Sequence, residues 1–225
     1  MCGRYTIRFP DRFDIRLFGV IEWPALGPRF NIAPGHEVPL IRLGPAGREA
    51  VLARWGLVPS WAKDPAIGDR LATARGETLA EKPSFRSAWK SRRGLLPADG
   101  FYEWQKVAGA TTKQPWLIGM ANDAPFALGA LWETWRAPTG DSLVSVTVIT
   151  TGPNELMRTI HERMPLIVPR TSWTEWLGEG ASTGTPAPAE LVMPYSAGEM
   201  RATRVSTYLN AVGRDDERCA EPLAD

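Results

Sequence analysis

The fold of this chain is restricted most by a series of short segments with strand character that are separated by turn sequences. Residues 38–43 and 49–55 flank the turn Gly44-Pro45-Ala46-Gly47, and residues 143–151 alternate apolar and polar side chains. This spacing predicts antiparallel hairpins. Strands do not alternate regularly with long helical segments, so a parallel βαβ fold is not expected.

Further strands are predicted over residues 94–98, 101–106, 116–120 and 126–133. Asp99-Gly100 separates the first two, and this dipeptide is typical of a tight hairpin turn. Helices are predicted over residues 10–19, 76–93, 153–161 and 172–176. We therefore expect the α+β class: a single domain over residues 1–225, built on a strongly curved, mainly antiparallel, barrel-like sheet with a few short helices.

Composition limits the classes of function. The chain has 225 residues, with 26 basic and 25 acidic side chains, so overall charge neither indicates nor excludes a nucleic-acid partner. Two cysteines and two histidines provide neither a disulfide framework nor a His-rich metal centre, and no metal is expected. No secretory leader or long apolar segment is recognisable, so we expect a cytoplasmic protein without a membrane partner.

The second residue is Cys2, next to the initiator Met1. Cysteine is small enough for removal of the initiator methionine to be expected, which leaves an amine and a thiol on adjacent carbons. In model compounds the pKa is about 8.5 for the thiol and about 7.7–8.0 for the amine, so both groups react near neutral pH. The pair can attack an acyl carbon, or condense with an aldehyde to form a thiazolidine. The alternative interpretation is a small residue in a frayed terminus.

Two further residues are candidates for proton transfer. Glu103 lies among aromatic neighbours in Gly-Phe-Tyr-Glu-Trp at 100–104, and a desolvated carboxylate suits general acid–base catalysis. His161 ends a predicted helix, and imidazole changes its charge near neutral pH. The alternatives are that Glu103 faces solvent on its strand and that His161 is a helix cap stabilised by the helix dipole.

Seven segments, taken in order, resemble the SOS-response-associated peptidase (SRAP) family, which processes abasic sites in DNA. They are Met-Cys-Gly-Arg-Tyr at 1–5, Phe-Asn-Ile-Ala-Pro-Gly at 30–35, Arg-Trp-Gly-Leu-Val-Pro-Ser-Trp at 54–61, Ala-Arg-Gly-Glu-Thr at 74–78, Pro-Ala-Asp-Gly-Phe-Tyr-Glu-Trp at 97–104, Ile-His-Glu-Arg-Met-Pro at 160–165, and Val205-Ser206 with Asn210. Each segment alone is a weak signal, but the ordered set covers essentially the whole chain and is highly specific.

The resemblance implies a reaction. Cys2, exposed by loss of Met1, attacks the ring-opened aldehyde of an abasic site in single-stranded DNA; the amine forms a Schiff base and the thiol closes it to a stable thiazolidine crosslink. Glu103 would shuttle protons, and His161 would stabilise the sugar oxygen and assist β-elimination or crosslink reversal. The resemblance assigns phosphate contacts to Arg4, Arg75 and Arg163, and the lining of the DNA path to Trp61 and Thr150.

One position departs from the family pattern. The family usually has Asn before Ala-Arg, where its amide orients the cysteine amine and the aldehyde, but this chain has Thr73. A hydroxyl offers one donor and lacks the reach of an amide with two donors. We expect Thr73 to take this catalytic position, with slower crosslinking or altered reversal.

The resemblance implies no cofactor, and peptidase activity limited to self-removal of Met1. The expected partner is single-stranded DNA containing abasic sites, bound by a monomer that associates with the nucleoid when DNA is damaged. Two alternatives remain open. One is a non-catalytic single-stranded-DNA-binding homologue, in which Thr73 marks lost chemistry. The other is an N-terminal-cysteine amidohydrolase, although Arg4-Tyr5-Thr6 does not continue the usual sequence of that class.

Overall fold

The computed structural model of the protein describes residues 2–24, 27–181 and 188–223. Within these residues the strands are β1 (Tyr5–Ile7), β2 (Arg29–Ile32), β3 (Glu37–Gly44), β4 (Gly47–Trp55), β5 (Thr73–Arg75), β6 (Arg93–Ala98), β7 (Gly100–Gln105), β8 (Gln114–Met120), β9 (Phe126–Arg136), β10 (Ser142–Thr151), β11 (Met164–Pro165) and β12 (Met200–Arg204). The α-helices are α1 (Ile15–Phe18), α2 (Arg86–Ser91), α3 (Glu155–Arg158) and α4 (Trp173–Leu177). Short 3-10 helices span Pro10–Arg12, Pro65–Arg70, Gly76–Thr78, Arg170–Ser172, Ala189–Leu191, Ala197–Glu199, Thr207–Asn210 and Glu217–Ala220.

Five strands form a closed barrel in the order β10-β4-β3-β6-β9, and β9 pairs back onto β10. The β3–β4 hairpin predicted around residues 44–47 is confirmed, with Gly44 opposite Gly47. Four of the five barrel contacts are antiparallel, and the β10–β4 contact is parallel, with Val146 opposite Trp55. Closure gives each of these five strands two hydrogen-bonded neighbours, so none of the five is an edge strand.

A second sheet lies beside the barrel. Its strands are antiparallel, in the order β12-β8-β7-β1-β2. One cluster of buried apolar side chains joins the two sheets, because it contains Tyr5 and Ile118 from this sheet as well as Leu40 and Val148 from the barrel. The predicted α+β class with a curved, mostly antiparallel sheet is therefore confirmed.

The predicted hairpin at Asp99-Gly100 is wrong. β6 pairs with β3 and β9 in the barrel, whereas β7 pairs with β1 and β8 in the second sheet, so the chain passes from one sheet to the other at Asp99. Gly100 is needed for close packing, since a Cβ there would lie 2.8 Å from Cδ1 of Leu117 and 2.9 Å from Oγ1 of Thr6.

The Asp99 carboxylate is buried and stabilises this corner. It accepts hydrogen bonds from Oγ1 of Thr6 (2.6 Å), from the backbone N–H groups of Arg8 (2.6 Å) and Phe9 (3.0 Å), and from Nε of Arg8 (3.1 Å). The Asp99 side chain does not shape a local turn. It binds the segment that follows β1. This contact connects the N-terminal strand to the junction of the two sheets.

The helices are shorter than the sequence predicts. The helix predicted over 76–93 is confined to α2, preceded by the 3-10 helix at Gly76–Thr78, and Pro83 lies between them. The helix predicted over 153–161 is confined to α3, where the Asn154 side chain accepts a hydrogen bond from Met157 N. α4 begins after Ser172, whose side chain makes no capping hydrogen bond.

Across the described ranges, no helix is both long and apolar enough to cross a lipid bilayer. The same residues contain no group of three or more histidine, cysteine, aspartate or glutamate side chains arranged to hold a metal ion.

Candidate active site

Cys2 lies three residues before the start of β1 and is only 3% exposed. The antiparallel β1–β7 register pairs Tyr5 with Phe101, and Tyr102 N donates to Arg4 O at 3.0 Å. Continued toward the N-terminus, this register places Gly3 opposite Glu103, and Cys2 is the next residue. The β1–β7 pairing thus brings the N-terminal segment to Glu103, and the Cys2 thiol is hydrogen-bonded to this carboxylate, about a hundred positions away in the chain.

The pKa of the Cys2 thiol is raised well above its ordinary value. Burial is the main cause, because a thiolate loses hydration in this environment. The negative charge of Glu103 and the hydrogen bond between the thiol and that carboxylate raise the pKa further. In this structure the thiol is therefore held in its neutral form, with a proton acceptor adjacent to it.

Glu103 is 1% exposed, so its side chain is on the buried face of β7 and not on a solvent face. Its main chain pairs with Trp116 on β8. The carboxylate is hydrogen-bonded to the Cys2 thiol, and its Oε2 also lies near Nε2 of the His161 ring. A buried carboxylate between a nucleophile and an imidazole is well placed to move protons between them.

His161 follows α3, and its backbone N–H donates to Met157 O at 2.8 Å. Its Nδ1 accepts a hydrogen bond from the backbone N–H of Arg163 at 3.1 Å, which favours the tautomer with the proton on Nε2. That Nε2 lies 3.9 Å from Oε2 of Glu103. The backbone N–H of Arg163 thus orients the ring, and the Nε2 edge of the ring faces the Glu103 carboxylate.

Thr73 begins β5, which runs parallel to β10 with Thr73 opposite Val148. The side chain is half-buried. Two residues later the same strand carries Arg75, whose side chain is exposed. β5 therefore places the position that departs from the family pattern and a predicted phosphate contact on one short strand.

Arg163 is anchored by several partners. Its guanidinium donates two hydrogen bonds to the Glu77 carboxylate, at 2.5 and 2.9 Å, and a third to Thr150 O at 2.6 Å. Oγ1 of Thr150 lies 3.2 Å from the same nitrogen and 3.3 Å from Ala74 O. Thr150 is buried, so its side chain supports Arg163 and β5.

Arg4 is held by residues from distant parts of the chain. Its Nη1 donates to Oδ1 of Asn31 at 2.8 Å and to Leu209 O at 3.0 Å, and its guanidinium lies 5.8 Å from the centre of the Trp104 ring. Trp104 in turn donates from Nε1 to Oδ1 of Asn210 at 2.8 Å. The segment around Leu209 therefore lies over the N-terminal strand.

Trp61 is 59% exposed, in the loop after β4. An indole that is this exposed offers a surface on which a base can stack. Below it, the neighbouring Ala62 accepts a hydrogen bond from Nε1 of Trp135 at 2.7 Å, which attaches the loop to the barrel.

Sequence reasoning gave no role to two residues of this region. Asn31 is fully buried, and its Nδ2 donates to Leu209 O at 2.9 Å and to Arg214 O at 2.7 Å, while its Oδ1 accepts from Arg4. Glu77 binds Arg163. Asn31 lies in the motif at 30–35 and Glu77 in the motif at 74–78. Membership of these family motifs is the only sequence feature that pointed to either residue.

Comparisons with known proteins agree with the sequence motifs. A family model described as SOS response associated peptidase (SRAP) matches residues 1–212. The chain is 40% identical over 215 residues to the abasic site processing protein YoqW of Bacillus subtilis strain 168, covering 94% of this chain and 95% of the relative. It is 31% identical over 273 residues to the abasic site processing protein HMCES of Pongo abelii, covering 99% of this chain and 76% of the relative.

The fold is also similar to solved structures. A crystal structure of a protein from Bordetella bronchiseptica has a TM-score of 0.77 at 26% identity, covering 91% of this chain and 100% of that chain. The family model, the relatives and the fold all agree with the motif order that begins at Cys2. The chain therefore belongs to the SOS response associated peptidase (SRAP) family.

Proposed function

We propose that this protein processes abasic sites in single-stranded DNA by forming a covalent crosslink through Cys2. The curated relatives are named abasic site processing proteins, which supports the substrate class. The observation that carries the proposal is the arrangement of the Cys2 thiol, the Glu103 carboxylate and the His161 ring. A buried acid–base pair next to an N-terminal aminothiol suits condensation with an aldehyde.

The proposed reaction has two bond-forming steps. The α-amine of Cys2 adds to the aldehyde carbon of the ring-opened sugar and loses one water, giving a Schiff base. The sulfur then adds to the same carbon while the nitrogen gains a proton, and the thiazolidine ring closes. Glu103 takes the proton from the thiol and returns one to the nitrogen. Burial of Cys2 keeps water from the Schiff base and so limits its hydrolysis.

His161 assists the steps on the sugar. The Nε2–H group donates a hydrogen bond to the sugar oxygen, and when the ring is an imidazolium it transfers this proton to the oxygen during ring opening and becomes neutral; the nearby Glu103 carboxylate stabilises the imidazolium. The same pair can assist β-elimination of the DNA strand, which gives the protein an abasic-site lyase activity in addition to crosslinking. Both roles use one ring and one carboxylate.

The amine becomes available only after hydrolysis of the peptide bond between Met1 and Cys2. Met1 lies outside the described residues, so its removal remains a prediction of the sequence. We propose that Cys2 assists this cleavage itself, which would account for a peptidase activity limited to the protein's own terminus. The reaction consumes one water and releases methionine.

The proposed DNA path runs past Arg4, Arg75 and Arg163, with Trp61 as an exposed stacking surface. Thr150 contributes by supporting Arg163. Contacts to phosphates fix the register of a strand without reading its sequence, which suits a lesion that has lost its base. We expect a monomer that acts on damaged DNA of the nucleoid in the cytoplasm.

The test uses purified protein and a single-stranded oligonucleotide with one abasic site. A shifted band that survives heat and SDS is expected for the wild type and not for Cys2→Ala, and mass spectrometry of the N-terminus verifies Met1 removal. Absence of the band in protein that has lost Met1 would overturn the proposal. Salt-dependent DNA binding without the band would then indicate the non-catalytic binding homologue.

A further inference from the structure

Glu77 is an exposed carboxylate that pairs with a predicted phosphate-binding arginine. Its side chain is 55% exposed, and both of its oxygens accept hydrogen bonds from Arg163, whose side chain is 16% exposed. This is the fork geometry in which a guanidinium also binds a phosphate. A side chain that is free to lie in solvent instead occupies the binding edge of Arg163.

Nη2 and Nε of Arg163 also face the protein. Nη2 also donates to Thr150 O at 2.6 Å and lies 3.2 Å from Oγ1 of Thr150. Nε is buried and has no hydrogen-bond partner among the described residues. The edge bound by Glu77 is therefore the part of the guanidinium through which an incoming anion could reach two donors at once.

A second arginine lies on the same side. In the parallel β5–β10 pairing Arg75 is opposite Thr150, the residue that also binds Arg163. The pKa of the Glu77 carboxyl is lowered mainly by its hydrogen bonds from Arg163, with further contributions from the charges of Arg163 and Arg75. Glu77 therefore stays ionised near neutral pH and provides one negative charge beside two positive ones.

On the basis of the proposed function, we propose that Glu77 determines specificity at the DNA-binding surface: its carboxylate occupies the Arg163 fork as an internal substitute for a phosphate, and a phosphate of the bound strand replaces it. Arg75, which is exposed, makes the first contact. Arg163 binds a phosphate only when the strand lies deep enough in the site to displace Glu77.

This arrangement weakens binding to undamaged strands. Each phosphate contact made by a protein adds to its affinity for any nucleic acid, irrespective of a lesion. The Glu77 carboxylate competes for Arg163. A normal strand that binds only briefly therefore makes one phosphate contact fewer. A strand retained by the covalent bond at Cys2 has time to displace Glu77.

The experiment measures binding of a labelled single-stranded oligonucleotide without an abasic site, by fluorescence anisotropy over a range of salt concentrations. The variants are Glu77→Gln, Glu77→Asp and, as a control of equal charge change, Glu81→Gln, whose side chain is exposed nearby in the sequence. Glu77→Asp keeps the net charge but shortens the side chain by one methylene. It therefore distinguishes the effect of losing the contact with the Arg163 guanidinium from the effect of changing the overall charge. Glu77→Gln is also made in an Arg163→Gln background.

We expect Glu77→Gln to bind about threefold to tenfold more tightly than wild type at low salt, with a smaller gain for Glu77→Asp and little change for Glu81→Gln. The slope of log K against log salt should steepen by about 0.7 for one additional phosphate contact. The gain should vanish in the Arg163→Gln background. Together these results would support competition for the fork.

Two outcomes would overturn the inference. Weaker binding by both Glu77 variants would mean that Glu77 positions Arg163 for the strand, and equal gains in Glu77→Gln and Glu81→Gln would mean that only overall charge matters. Crosslinking to an abasic oligonucleotide is measured in parallel. If the wild type crosslinks normally while either outcome is found, only this inference fails; if it neither crosslinks nor binds, the proposed function fails as well.

Discussion

Nε2 of His161 lies 3.9 Å from Oε2 of Glu103, a carboxylate that is buried and also hydrogen-bonded to the Cys2 thiol. Three residues that are far apart in the sequence thus lie close together and form a candidate line of proton-transfer groups. The distance exceeds that of a direct hydrogen bond, so a small shift of the ring or a substrate oxygen is needed to complete the line. Glu103 is its central member.

Replacing Glu103 by Gln should slow crosslink formation about 10²- to 10⁴-fold, because the amide keeps the shape of the side chain but cannot take up a proton. The measurement is the single-turnover rate of appearance of the SDS-stable band. Glu162→Gln is the matched control, because this exposed glutamate is adjacent to His161 in the chain. A rate within about threefold of wild type for Glu103→Gln would contradict proton transfer by Glu103.

The reactivity of the Cys2 thiol should still rise with pH above 8.5, about tenfold per pH unit, because its pKa lies well above the ordinary value. Glu103→Gln removes a negative charge that disfavours the thiolate, so the midpoint should move to lower pH while burial keeps it above that of a free cysteine. Iodoacetamide labelling followed by mass spectrometry distinguishes Cys2 from Cys219. A midpoint that stays in place or rises in Glu103→Gln would contradict the assigned cause.

Replacing Thr73 by Asn should speed crosslinking about fivefold, the effect of one additional hydrogen bond of about 1 kcal/mol in the transition state. The amide has two donors and a longer reach than the hydroxyl, and β5 keeps the backbone position unchanged. Rates of crosslink formation and reversal are compared with those of Thr139→Asn, a substitution in the exposed turn between β9 and β10. An unchanged rate for Thr73→Asn would count against a catalytic role at this position.

Replacing Asp99 by Ala should destabilise the protein by about 3 kcal/mol, because the buried Thr6 hydroxyl, the backbone N–H groups of Arg8 and Phe9 and the Arg8 guanidinium lose their acceptor. The free energy of unfolding in urea is the measurement. Asp11→Ala, at an exposed position, should change it by less than about 0.5 kcal/mol. Equal stabilities of the two variants would show that the corner does not depend on the carboxylate.

Several features could be predicted from local sequence patterns. The β3–β4 hairpin follows from two apolar segments joined by Gly44-Pro45-Ala46-Gly47, since both the strand period and the turn residues lie within a short window. The identities of Cys2, Glu103 and His161 as site candidates follow from the chemistry of each residue type and from ordered motifs. These signals do not require knowledge of distant residues.

The Asp99-Gly100 prediction failed because its outcome depends on residues far away in the chain. The dipeptide permits a tight turn, but the Thr6 hydroxyl, 93 positions away, binds the carboxylate, and the neighbouring strands draw β6 and β7 into different sheets. Helix lengths were overestimated for a related reason. A periodic apolar pattern indicates where a helix can form, and contacts with the barrel determine how much of it persists.

Chain chemistry alone thus predicts an N-terminal aminothiol, places a glutamate among aromatic residues and indicates a strand-rich fold. Closure of the barrel, the burial of Glu103 beside Cys2, and the pairing of Arg163 with Glu77 across 86 positions arise only when the strands assemble. The physical reason is the range of the interactions. Backbone preferences and side-chain period act over a few residues, whereas desolvation and ion pairing depend on groups that only folding brings together.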